Sequence, residues 1–155
     1  MTDGNRWYIL AALLGAMGIF IHFALATAAI GTLLADVVFL AMVVLIIVAG
    51  MNAKRRGQKA PRQGVLLGLI YGGLLGIGDV VYAPQGSAAV RLMQRAYPSA
   101  SHAQIMAQLA LLRTASARFG SFITTVVIWA LLGLLFAWIG SLLVKRDDTG
   151  GMGQT

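Results

Sequence analysis

The chain has no cysteine and no glutamate, and its 155 residues hold five acids: Asp3, Asp36, Asp79, Asp147 and Asp148. The missing thiols exclude disulfides, thiolate metal sites, iron–sulfur clusters and a cysteine nucleophile, while leaving the redox compartment open. The missing glutamates confine any intramembrane acid chemistry to Asp36 or Asp79. Charged residues make up 11% of the chain, against about 25% in ordinary soluble domains. Also missing are a nucleophile with a paired base, a phosphate-binding glycine loop followed by Lys-Ser or Lys-Thr, and any cluster with metal-ligand spacing. No enzymatic activity and no metal are expected.

What remains is apolar. Hydrophobic residues reach 59% and the mean hydropathy is +0.82, which places the chain in the membrane class. The net charge of +7 does not point to nucleic acid, because Lys and Arg fall mainly between apolar segments, where topology and anionic headgroups account for them. The expected partners are therefore membrane lipids and membrane protein. The run from Trp7 to Ala29 includes Ala24-Leu-Ala26 and Ala26-Thr-Ala28, which resemble small-residue cleavage sites. It exceeds the ~7 to 15 residues of a signal core and matches the ~20 of a bilayer span, so it is read as a retained first helix.

The hydropathy pattern predicts an all-α membrane protein with four spans: Trp7 to Ala29, Leu33 to Met51, Gly64 to Tyr82 and Phe119 to Val144. These form one domain over 1–148, followed by a glycine-rich tail at 149–155 that is predicted to be mobile. The loop from Asn52 to Gln63 carries Lys54, Arg55, Arg56, Lys59 and Arg62. Placing it inside, with Arg6, Lys145 and Arg146, sets eight basic residues against the four of Arg91, Arg95, Arg113 and Arg118, so both termini are predicted cytoplasmic. The connection from Ala83 to Arg118 is too long for a turn. Pro98 divides it, Ser101-His-Ala-Gln104 fits a capping box, and Ile105, Leu109 and Leu112 repeat at helical spacing. Short helices lying in the outer interface are predicted there.

Gly64, Gly68, Gly72 and Gly76 recur every four residues in the third span, with Asp79 and Tyr82 in the same arc. Such a stripe serves close packing within the chain, homo-oligomerisation or docking on a larger partner. The first helix offers a matching face in Ala11, Gly15, Gly18 and His22, so contact between the first and third spans would hide His22 and Asp79 together. Counted from the basic side, both lie about 22 Å into the membrane at 1.5 Å per residue. Asp36 and Arg118 open the second and fourth spans at a similar depth. The four polar residues are a candidate buried cluster, either as a hydrogen-bonded packing element or as an ion path. Trp7 and Tyr8, and Tyr82 and Tyr97, suit the two interfacial belts, whereas Trp129 and Trp138 face lipid or pack.

Gly18-Ile-Phe-Ile-His22 resembles the small-xxx-His arrangement of light-harvesting helices, which would make His22 a ligand of (bacterio)chlorophyll or haem. A bis-histidine haem would need a second intramembrane histidine that the chain lacks, and no cofactor is expected. The order of elements, with Lys54-Arg55-Arg56 leading to Gly64, resembles a bacterial family of small four-helix membrane proteins known as a domain of unknown function. This chain departs from that pattern in the shortage of acids in its long connection. The resemblance implies a multi-pass protein of the bacterial inner membrane and supplies no activity. Small size and small-residue faces suggest an accessory or assembly subunit docked on a larger complex, such as a respiratory or photosynthetic one. The alternative is a homo-oligomeric ion or proton transporter using Asp79, His22 and Asp36.

Overall fold

Long Leu, Ile, Val and Ala runs without internal proline leave the backbone one way to satisfy its own polar groups in an apolar setting, and that is the α-helix. The computed structural model describes residues 5–25, 29–81 and 86–144; the side chains of 22–25, 29, 30, 32, 79, 86–88 and 92 are outside what is described. Six helices are described, α1 (Asn5–Leu25), α2 (Ala29–Arg55), α3 (Ala60–Val81), α4 (Gly86–Ala96), α5 (His102–Leu112) and α6 (Ala115–Leu142), with no strand among the described residues. The residues 145–155 that include the expected tail, and Tyr82, lie outside the described residues.

Two helices are long and apolar enough to cross a membrane, Leu33–Arg55 within α2 and Ala115–Leu142 in α6. Over Asn5–Ile21, α1 is apolar but shorter. α3 has 22 residues, yet its glycines at 64, 68, 72, 73, 76 and 78 carry no apolar side chain and Pro61-Arg62-Gln63 opens it. Of the four expected spans, two thus qualify by length and apolarity.

The α2–α3 turn closes on Gly57, whose φ of +68° is the left-handed conformation that glycine adopts without a Cβ penalty. The Gln58 N–H donates to Ala53 O at 2.8 Å and the Gly57 N–H to Lys54 O at 3.0 Å, the paired bonds of a Schellman motif. Pro61 sits in the first turn of α3, where its missing N–H costs no helical bond.

The helices pair through their smallest residues. A methyl at Gly64 would overlap the Gly133 carbonyl oxygen and Ala137 Cβ, and one at Gly68 would overlap the Trp129 carbonyl oxygen. Further along, a methyl at Gly72 would stand 2.7 Å from Trp129 Cβ, and one at Gly76 2.7 Å from the Phe122 ring. Positions rise on α3 as they fall on α6, so the two run antiparallel with the glycine stripe against α6. The expected partner of that stripe, α1, lies on another side of α3: Gly15 meets Leu74, Gly18 meets Leu75, and Ile19 approaches Gly78, a parallel register. α2 crosses α6 at Gly50 against Ala137 and Gly140 against Ile47. Among the described residues the centre is filled by Met42, Ile46 and Leu67, all fully buried. Trp129 stands edge-on to Tyr71 at 4.4 Å and to Phe39 at 5.5 Å between ring centroids.

In water this burial would supply the driving force, at about 25 cal/mol per Å². Between helices surrounded by lipid tails it does not, and close backbone approach contributes more. The outward surface is apolar as well: Leu10, Leu13, Leu40, Val44, Ile123 and Leu131 are all exposed.

α4 and α5 form a satellite. Ala89 packs with Ile105 and Leu109, flanked by Val90 and Met93, while Arg95 stays exposed and Arg91 largely so. The α5 start is a capping box: Ser101 Oγ accepts from the Gln104 N–H at 3.3 Å, and Gln104 Oε1 accepts from the Ser101 N–H at 2.8 Å. Thr114 links α5 to α6, its hydroxyl donating to Leu111 O at 2.7 Å and accepting from the Ala117 N–H at 3.3 Å.

Candidate functional site

Of the four polar residues expected to converge, Asp36 and Arg118 have described side chains, and these two do not meet. Arg118 lies in the first turns of α6, half-buried, and its Nη1 donates to the Val80 carbonyl at 3.2 Å. That carbonyl lies in the last described turn of α3, and the residue four further on, Pro84, has no N–H to donate to it. Arg118 Nε is buried with no hydrogen-bond partner among the described residues. Lys54 makes the corresponding contact at the opposite end, its Nζ donating to Ser141 O at 2.7 Å in the last turn of α6. One cation thus closes the α3 C-terminus and another the α6 C-terminus.

Asp36 turns outward. It is exposed on the α2 face that carries Leu33, Val37, Leu40 and Val44, all of them exposed, and among the described residues no ion pair reaches it. Shared depth along the helix axes did not bring Asp36 to Arg118, because the azimuth of a residue is set by packing. The backbones of His22 and Asp79 lie in α1 and α3, and their side chains lie outside the described residues.

Four residues before His22, a methyl at Gly18 would stand 2.7 Å from Leu75 Cδ2 and 3.8 Å from the Tyr71 hydroxyl. Among the described residues, no group of three or more His, Cys, Asp or Glu could hold a metal ion. Trp129 is a packing residue at 8% exposure, whereas Trp138 at 50% faces outward.

Sequence reasoning missed the α6 half of the main interface. Its signal was present in Gly133, Ala137 and Gly140, joined by Gly50 on α2, but Trp129 in the same row obscured it. Compared with protein-family models, curated proteins and solved structures, the chain finds no match.

Proposed function

We propose that the chain is a four-span membrane protein, with α1, α2, α3 and α6 crossing the bilayer, that serves as an accessory or assembly subunit on a larger membrane complex. The end bearing Arg6, Lys54, Arg55, Arg56, Lys59 and Arg62 faces the cytoplasm of a bacterial inner membrane under the positive-inside bias. The α4–α5 pair then lies in the outer interface.

Asp36 carries the docking reading. It stands about 10 Å along α2 at 1.5 Å per residue, on a face otherwise made of exposed leucine and valine. Asp36 lies three residues into the apolar stretch Leu33–Arg55, where a carboxylate against lipid is less well solvated than in water, so this face is better satisfied by a partner helix that supplies a donor. The glycine stripe is used between α3 and α6, which leaves the α2 face as the outward feature most in need of a partner.

A photo-crosslinking residue at Leu40 in native membranes tests this. A product with a different, larger polypeptide, weakened by Asp36→Lys, is the expected result. Crosslinks to lipid alone would remove the docking reading.

The second reading is a homo-oligomeric ion or proton transporter in which Asp36, with His22 and Asp79, lines a path between copies. The same exposed carboxylate favours it. Within one copy no polar or charged residue is buried among the described residues, and Met42, Ile46, Leu67, Tyr71 and Trp129 fill the middle. Leu40 crosslinking to a second copy, together with flux in vesicles abolished by Asp79→Asn, would select this reading over docking.

A further inference from the structure

The basic end of the bundle holds a cleft of about 480 Å³ that neither the helix packing nor the docking face uses. Its walls include Tyr8 from α1, Gln58 and Lys59 from the α2–α3 turn, and Arg62, Gln63 and Leu66 from α3. Lys59 and Arg62 are exposed into solvent, and no ion pair reaches either among the described residues. Gln63 is half-buried in the lining, where its side-chain amide carries N–H donors, while its Oε1 is buried with no hydrogen-bond partner among the described residues. Tyr8 adds a hydroxyl and Gln58 a second amide. Leu66, 39% exposed, forms an apolar wall.

The chemistry of this lining is specific in sign. Two cations and three neutral polar side chains converge, and no carboxylate is among them. A phosphodiester supplies one negative charge and several acceptor oxygens for Arg62 and Lys59. A cationic choline or ethanolamine would find no counter-charge. Leu66 continues the cleft onto the apolar surface of α3, where an acyl chain would lie. We propose that this cleft is a site for a phosphate-bearing anion, occupied by the headgroup of an anionic phospholipid such as a phosphatidylglycerol. The proposal rests on the reading that α3 crosses a membrane with this end in the cytoplasmic interface.

The test titrates the purified full chain in detergent with short-chain phosphatidylglycerol, with phosphatidylcholine of the same chain length, and with inorganic phosphate, using native mass spectrometry to count bound molecules. One phosphatidylglycerol is expected to bind saturably, and Lys59→Gln with Arg62→Gln should weaken it roughly tenfold to thirtyfold. Gln63→Leu should weaken it too, and serves if the double variant folds poorly. Arg55→Gln with Arg56→Gln removes the same charge from the same turn outside the cleft, and should change affinity by less than about twofold. Equal loss in that control, or equal binding of both lipids, would overturn the site and leave the spanning reading intact. Inorganic phosphate that competes the lipid away supports phosphate recognition, whereas phosphate binding without any lipid preference would overturn the lipid as the source. A chain that stays monodisperse after removal of all detergent and lipid would instead overturn the spanning reading.

Discussion

A single methyl group separates two glycines five residues apart on α3. At Gly68 it would overlap the Trp129 carbonyl oxygen, a backbone atom that cannot rotate away; at Gly73 it would meet nothing within 4 Å. Gly68→Ala is therefore expected to lower stability by about 1–3 kcal/mol through overpacking. Gly73→Ala should be neutral or stabilise by up to ~1 kcal/mol, since alanine is the better helix former. Gly76→Ala should fall between the two, because its methyl would meet the Phe122 ring, a side chain and not a fixed backbone atom. Thermal melting of the detergent-purified variants orders the three, and identical melting for Gly68→Ala and Gly73→Ala would mean that the stripe does not hold α3 to α6. At the same scale, Asp36→Leu should leave melting in detergent unchanged or raised, as the carboxylate has no ion-pair partner among the described residues.

Elements are set by their ends as much as by their apolar runs. Ser101→Ala removes the side-chain acceptor for the Gln104 N–H, and the cap should lose about 1 kcal/mol. Hydrogen exchange at the Gln104 amide should accelerate, while the α3 and α6 amides near Gly68 and Trp129 keep their protection, because α5 packs mainly on α4. Equal acceleration in both places would mean that α4 and α5 are part of the main bundle. This capping box was legible in the sequence, since Ser101 and Gln104 are neighbours in the chain and the motif needs nothing else. Ile105 and Leu109 were legible as its buried face for the same local reason, but Leu112 is 45% exposed because α5 ends there. The face of α3 was also legible from the spacing of Gly64 to Gly76. Its partner was not. Spacing defines which residues share a side of one helix, whereas pairing depends on which other helix can bring backbone into that groove. On α6 the Trp129 side chain turns toward Tyr71 and Phe39, leaving its carbonyl against Gly68, a direction that residue identity does not reveal. For Asp36 the outward azimuth was not readable.

Over the whole molecule, the helix registers place the α2–α3 turn and the start of α1 at one end, and α4 and α5 at the other. The chain has no native cysteine, so single thiols report sidedness without background. A thiol at Gln58 should label only from the cytoplasmic side and one at Ser99 only from outside; the reverse pattern would invert the orientation. The α3–α6 interface also has a history in time. Synthesis from Val81 to Leu142, at about 5–20 residues per second, takes roughly 3 to 12 s. Throughout that interval α3 exists without the helix that fills its groove. Until α6 arrives, the backbone that closes on Gly64, Gly68 and Gly72 in the folded chain is missing, and that groove stands without its partner.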